Sequence, residues 1–79
     1  MFINITIESG EQRRDIRIDS EQKINEGLAV LWQSGKLPLG LMPDYFHSRL
    51  NQCTVSGHKT FLEEDVFDGD VLTAIHLEP

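Results

Sequence analysis

Only one stretch of this 79-residue chain, residues 19–35, can form a helix of useful length, and that stretch decides what the remainder must do. At 100° per residue, Ile24, Leu28, Leu31 and Gly35 share one narrow sector, with Gly27 and Trp32 on its margins and Glu26 and Gln33 opposite. A helix cannot bury its own apolar stripe, so the extended remainder must supply a sheet to cover it. Asp19 or Ser20 is expected to cap the helix, with Gln22 at capping-box distance from Asp19. Gly35 and then Pro38 are expected to end it. Burying Ile24, Leu28, Leu31 and Trp32 at roughly 1.5–3 kcal/mol each is comparable to the net stability of about 5–15 kcal/mol of a small domain.

The flanks read as strands and turns. Residues 2–8 alternate, with Ile3, Ile5 and Ile7 on one face and Phe2, Asn4, Thr6 and Glu8 on the other. A turn over 9–12 leads into residues 14–18, which place Ile16 and Ile18 inward and Asp15 and Arg17 outward, so the two runs form a hairpin feeding the helix. Residues 36–43 carry Pro38, Gly40 and Pro43, which forbid regular structure, together with Leu37, Leu39, Leu41 and Met42. These apolar side chains are expected to cover the open end of the core, or to offer a docking surface. Residues 45–50 read as a third strand with Phe46 and Leu50 inward and His47 and Arg49 outward, and residues 53–55 as a short fourth. Phe61, Leu62, Val66 and Phe67 punctuate an acidic connection containing a single helical turn. Asp68-Gly69 makes a tight turn before a last strand over 71–77. That strand is apolar at both parities, as a central strand would be: Leu72 and Ala74 on one face, and Val71, Ile75 and Leu77 on the other. Periodicity alone sends the bulkier odd set inward.

Size and composition narrow the function. A chain this short is expected to make one domain over 1–79. The lone cysteine, Cys53, excludes an intramolecular disulfide, and no basic region followed by an apolar run marks a secretion signal, so a cytoplasmic protein is expected. The longest apolar run, 28–32, is far short of the roughly 20 residues of a membrane span. A net charge of −6 argues against nucleic acid and anionic membrane surfaces as partners.

Strand, strand, helix, strand, short strand, strand describes an α+β layer, a mixed four-to-five-stranded sheet packed on one α-helix, which is the β-grasp or ubiquitin-like arrangement. Within it, the run Asp15-Ile16-Arg17-Ile18, the helix end Leu31-Trp32-Gln33 and the terminal Asp68-Gly69-Asp70 resemble the small YukD/EsaB proteins. These are ubiquitin-like proteins encoded with the type VII (Yuk/Ess) secretion machinery of Gram-positive bacteria. The resemblance spans essentially the whole chain and thins over 37–53. It implies a non-catalytic accessory or adaptor protein without cofactor or metal, near the membrane secretion ATPase complex and recruited to the inner face of the membrane. The ubiquitin-like framework also puts the first inward residue of the last strand six positions after Val66, at Leu72, and this is followed over the bare periodicity. Two other classes remain: a small β-grasp subunit of a multicomponent monooxygenase, and a ubiquitin-like modifier or sulfur carrier. The modifier needs a slim Gly-Gly tail, whereas no glycine follows Gly69 in this sequence.

Weighed singly, the chemically tempting residues favour bland roles. Cys53, His47, His58 and His76 match no metal-ligand spacing. Glu63, Glu64, Asp65, Asp68 and Asp70 lack the alternation and closing Glu of a calcium loop and read as a solvated turn. Trp32 reads as a core flank, and Val30 as a scattered surface residue. The sharper expectation concerns the outer face of the sheet. With ubiquitin's strand order, Arg13 and Arg17 flank Phe2, Asn4 and Thr6, followed by Val71, Thr73 and Ile75, and then by His47 and Arg49. Apolar residues rimmed by cations suit a protein-binding surface, so Phe2, Arg17, His47, Arg49, Val71, Thr73 and Ile75 are the candidate partner-binding residues. A homodimer through the first hairpin's edge strand or the 36–43 connection stays open.

Overall fold

The computed structural model describes residues 1–35 and 42–75. The isoleucine alternation of the first run becomes β1 (Phe2–Ser9), which turns through Gly10-Glu11 into antiparallel β2 (Gln12–Asp19). Gly10 has φ +59°, the positive value that a two-residue hairpin loop needs at its first position. The helix α1 (Ile24–Gln33) follows, then β3 (Tyr45–Ser48), β4 (Cys53–Ser56) and β5 (Val71–Ile75). The sheet runs β2-β1-β5-β3-β4, with β5 parallel to β1 and antiparallel to β3. This is the β-grasp arrangement that the sequence implies, with the last strand central.

One face of this sheet grips the helix. Ile3, Ile5 and Ile7 from β1, Ile18 from β2, Phe46, Val55 and Leu72 meet Ile24 and Leu28, with Phe61 and Val66 closing the far side. Ile16, Leu31, Trp32, Met42 and Ala74 pack against this core from its rim. Leu72 is fully buried and Ala74 shares its face, so the even set of the last strand points inward. Leu37, Leu39 and Leu41 of the expected apolar cover, and His76 and Leu77 of the last strand, lie outside the described residues.

Three expectations are corrected. The helix starts at Ile24, and neither Asp19 nor Ser20 caps it: the N-cap is Lys23, whose side chain makes no capping bond. Asp19 instead accepts the Glu21 amide at 3.0 Å, one turn upstream. The free amides of Ile24 and Asn25 are taken by the carbonyls of Lys59 and Gly57, at 2.9 and 2.8 Å, so the chain after β4 does the work of a cap. The capping box belongs elsewhere: Glu63 N–H donates to Thr60 Oγ1, and Thr60 N–H to Glu63 Oε1. It opens the helical turn expected in the acidic connection.

Next, Leu50 does not point inward and is 57% exposed. β3 stops at Ser48, because the Asp70 carboxylate captures the Leu50 amide at 3.1 Å and the Ser48 hydroxyl that of Asn51 at 3.4 Å, pulling the chain into a turn. Finally, Asp70 belongs to no solvated turn. It is 0% exposed and accepts Ser48 Oγ–H at 2.5 Å, Leu50 N–H at 3.1 Å and Val71 N–H at 2.7 Å. The neighbouring acids also bind backbone: Asp68 accepts the Asn4 amide at 2.7 Å and Glu64 that of Ser56 at 2.7 Å.

Candidate interaction face

The face of the sheet turned away from the helix carries the even positions of β1 and the odd positions of β2, β3 and β5. Pairing across the strands aligns Arg13, Glu8, Thr73, His47 and Thr54 in one row. A second row holds Asp15, Thr6 and Val71, with Arg49 beside them through its amide bond to the Val71 carbonyl at 3.0 Å. Tyr45 stands opposite Ile75, and Arg17 opposite Asn4. All seven candidate residues therefore lie on this face, in the lateral order expected from the sequence.

Their environments differ. Phe2 is 61% exposed and the Arg17 guanidinium stacks over its ring, 5.3 Å from the centroid, an arrangement worth about 0.5–1 kcal/mol at an exposed site. His47 and Arg49 are exposed, while Thr73 and Ile75 are partly covered. Val71 is only 8% exposed, so it supports the face from below and offers little area to a partner.

Charge is also more balanced than the list of cations suggests. Glu8 takes Arg13 Nε at 3.3 Å and Arg49 Nη2 at 3.7 Å on Oε2, and Thr73 Oγ1–H at 3.3 Å on Oε1. Asp15 accepts Thr6 Oγ1–H at 2.6 Å. The centre of the face is thus a neutralised polar lattice, with Phe2 and Arg17 at one end and Tyr45 and Ile75 at the other. Such exposed ion pairs contribute about 0–1 kcal/mol each and are easily exchanged for a partner's groups.

A further exposed apolar group escaped the sequence reading. Met1, Leu62 and Phe67 are at least half exposed, and backbone bonds gather their segments at the end where β1 begins: Leu62 N to Ser20 O, Ser20 N to Met1 O and Gly69 N to Asn4 O. Phe2 follows Met1 in the chain, so exposed apolar residues gather at the end of the sheet where β1 begins. The only signal in the sequence was Phe67 following Val66, two large apolar residues of which one must lose its place in the core.

Cys53 is exposed, and His58 faces Asp44 with Nε2 3.5 Å from Oδ1. Among the described residues, no group of three His, Cys, Asp or Glu is placed to hold a metal ion. Among them too, no helix is long and apolar enough to cross a membrane.

No protein-family model and no curated protein matches the chain. Among solved structures it is similar to the ubiquitin-like domain of EccD5 from Mycobacterium xenopi. The TM-score is 0.64 and the identity 17%, and the likeness covers 100% of this chain and 98% of that one. At this identity the likeness carries the fold and leaves the surface chemistry to be argued from this chain's own residues.

Proposed function

We propose that this protein is a non-catalytic, ubiquitin-like accessory component of a type VII secretion system, acting by docking other proteins on the outer face of its sheet. The observation that supports this reading is the end-to-end likeness to the ubiquitin-like domain of EccD5, a type VII secretion component. The narrower assignment, to the YukD/EsaB-like proteins, rests on the runs 15–18, 31–33 and 68–70. One residue of each run does structural work here: Ile18 and Asp70 are buried and Trp32 packs on the core. They therefore speak for a shared framework, while the partner is chosen by Phe2, Arg17, His47, Arg49, Thr73 and Ile75. In this reading the protein sits on the cytoplasmic side of the membrane, held by the secretion ATPase complex.

Affinity purification of the tagged chain from its native cells tests this. Secretion-complex proteins should copurify with the unaltered chain and be lost with Ile75→Asp and with Arg17→Glu, while circular dichroism shows both variants folded. Retention of the same partners by both folded variants removes the docking face. Copurification of a di-iron hydroxylase replaces the secretion reading with that of a monooxygenase subunit. Unfolding of Ile75→Asp would mean that Ile75 is core, contrary to its place on the outer face.

A further inference from the structure

The end of the sheet where β1 begins carries more exposed apolar surface than the fold requires. Among the described residues seven large apolar side chains are exposed, and four of them, Met1, Phe2, Leu62 and Phe67, belong to this end. Backbone bonds bring their segments together: Leu62 N–H donates to Ser20 O at 2.9 Å, Ser20 N–H to Met1 O at 2.8 Å and Gly69 N–H to Asn4 O at 2.7 Å. Leu62 and Phe67 each follow a core residue, Phe61 and Val66, whose backbones are joined at 2.9 Å. Both hold their places through the main chain, Leu62 by its amide and Phe67 by a carbonyl that accepts Asp70 N–H at 3.1 Å. A polar side chain would serve the fold at either position, yet Leu62 is 52% and Phe67 50% exposed. Apolar side chains gathered at the surface without a packing role mark an interaction site.

Charge and backbone pairing identify the occupant. Residues 17–23 and 62–68 carry six carboxylates against two cations, Arg17 and Lys23. The Met1 amino group, 3.2 Å from Asp19 Oδ1, offsets one more carboxylate and leaves acid in excess. Two such ends repel one another, so neither a second copy nor another polyanion suits this surface. The Asn4 amide and carbonyl are taken by Asp68 Oδ1 and Gly69 N–H. An extended segment laid there finds no open ladder and leaves its own N–H and C=O groups unpaired on apolar surface, whereas a helix pairs them internally. We propose that this end of the sheet docks the apolar stripe of a cationic amphipathic helix from another protein, its apolar residues on Met1, Leu62 and Phe67 and its flanking Lys or Arg on the exposed Glu21, Glu63 and Asp68. Apolar contact supplies affinity, and the acidic rim speeds association and rejects acidic helices. This surface stands beside the outer face and does not depend on it.

Selection from a displayed library of helix-forming peptides on the full chain tests this. Recovered sequences should share apolar residues at i, i+3, i+4 and i+7 flanked by Lys or Arg. A synthetic peptide of that sequence should gain helicity on binding and shift the amide resonances of residues 1–4, 20–21, 62–63 and 67–69, leaving those of His47 and Arg49 in place. Phe67→Ser and Leu62→Ser, both at exposed positions and checked by circular dichroism, should each weaken binding roughly tenfold. Leu50→Ser, at an exposed apolar residue elsewhere, should not weaken it. Glu21→Lys should weaken it about threefold at low salt and less at high salt. The proposal falls if no peptide is enriched, if the enriched peptides lack cations or bind without becoming helical, or if the folded Phe67→Ser and Leu62→Ser variants bind unchanged. It also falls if the shifts map to His47 and Arg49, or if sedimentation finds a dimer that Phe67→Ser dissolves. Because Leu62 and Phe67 are not among the outer-face residues, failure of either reading leaves the other standing.

Discussion

Replacing Asp70 by alanine gives the most direct trial of how this fold is held. The side chain is fully buried and serves three donors: the Ser48 hydroxyl at 2.5 Å, the Val71 amide at 2.7 Å and the Leu50 amide at 3.1 Å. Stranding a buried donor costs about 1–3 kcal/mol. Leu50 N–H lies near solvent and the Ser48 hydroxyl can rotate, so the three do not add in full, and Asp70→Ala should cost about 2–5 kcal/mol. Against a total of about 5–15 kcal/mol that is a large share.

Graded variants separate hydrogen bonding from volume. Asp70→Asn keeps one oxygen for the two backbone amides and can donate from its nitrogen to Ser48 Oγ, so it should cost about 0.5–1.5 kcal/mol. Ser48→Ala removes one donor and should cost about 1 kcal/mol. Urea unfolding followed by Trp32 fluorescence reads these differences. With a slope near 1 kcal/mol/M, the midpoint of Asp70→Ala should fall by about 2–5 M, or the protein should lose its fold without denaturant. A shift below about 0.5 M, or an Asp70→Asn as damaging as the alanine, refutes the argument and restores the solvated turn.

Two more outcomes follow from the same geometry. A Cβ at Gly57 would fall onto the Asn25 amide, whose Oδ1 is buried without a hydrogen-bond partner among the described residues. Gly57→Ala should therefore cost about 1–3 kcal/mol in thermal melts, and adding Asn25→Ala should recover most of it; a neutral Gly57→Ala would contradict the close approach. The Thr60 amide, and then the Thr60 hydroxyl group, hold the Glu63 carboxyl below the ordinary glutamate range. A depressed folded-state value means that its contribution to stability is present above the unfolded value and is lost as pH falls below the ordinary glutamate range. In an NMR titration the Glu63 midpoint and the Thr60 amide shift should move together, and a midpoint at or above the ordinary value would count against the capping box.

How legible was this in the sequence? Where a side chain's burial follows from its own periodicity, the reading succeeded: Ile3, Ile5 and Ile7 alternate, and Ile24, Leu28 and Leu31 recur at helical spacing, so the inward faces of β1 and α1 were explicit. It failed where a polar group's partner lies far along the chain. Asp19 has the composition of an N-cap, yet α1 is capped by Lys59 and Gly57 carbonyls from a segment on which no local pattern acts. Leu50 continues the alternation of β3, but the strand is cut by Asp70, twenty residues away. On the outer face the cations were legible, whereas their shared neutralisation by Glu8 required the register of four strands.

The last strand shows why that distinction is physical. Residues 71–75 are apolar at both parities, so burial alone leaves two registers of similar merit. Polar bonds just before the strand choose between them. Asp68 accepts the Asn4 amide, Gly69, at φ +90°, donates to the Asn4 carbonyl at 2.7 Å, and the Asp70 carbonyl accepts the Thr6 amide at 3.0 Å. Those contacts lock the chain to β1 before β5 begins, and the Asp70 carboxylate locks the same point to the end of β3. Slipping by one residue would keep the apolar character of the strand but break every one of these bonds at once. Leu72 therefore enters the core and Val71 is left to close the sheet from outside, which is why the outer face presents Thr73 and Ile75 rather than a continuous apolar stripe.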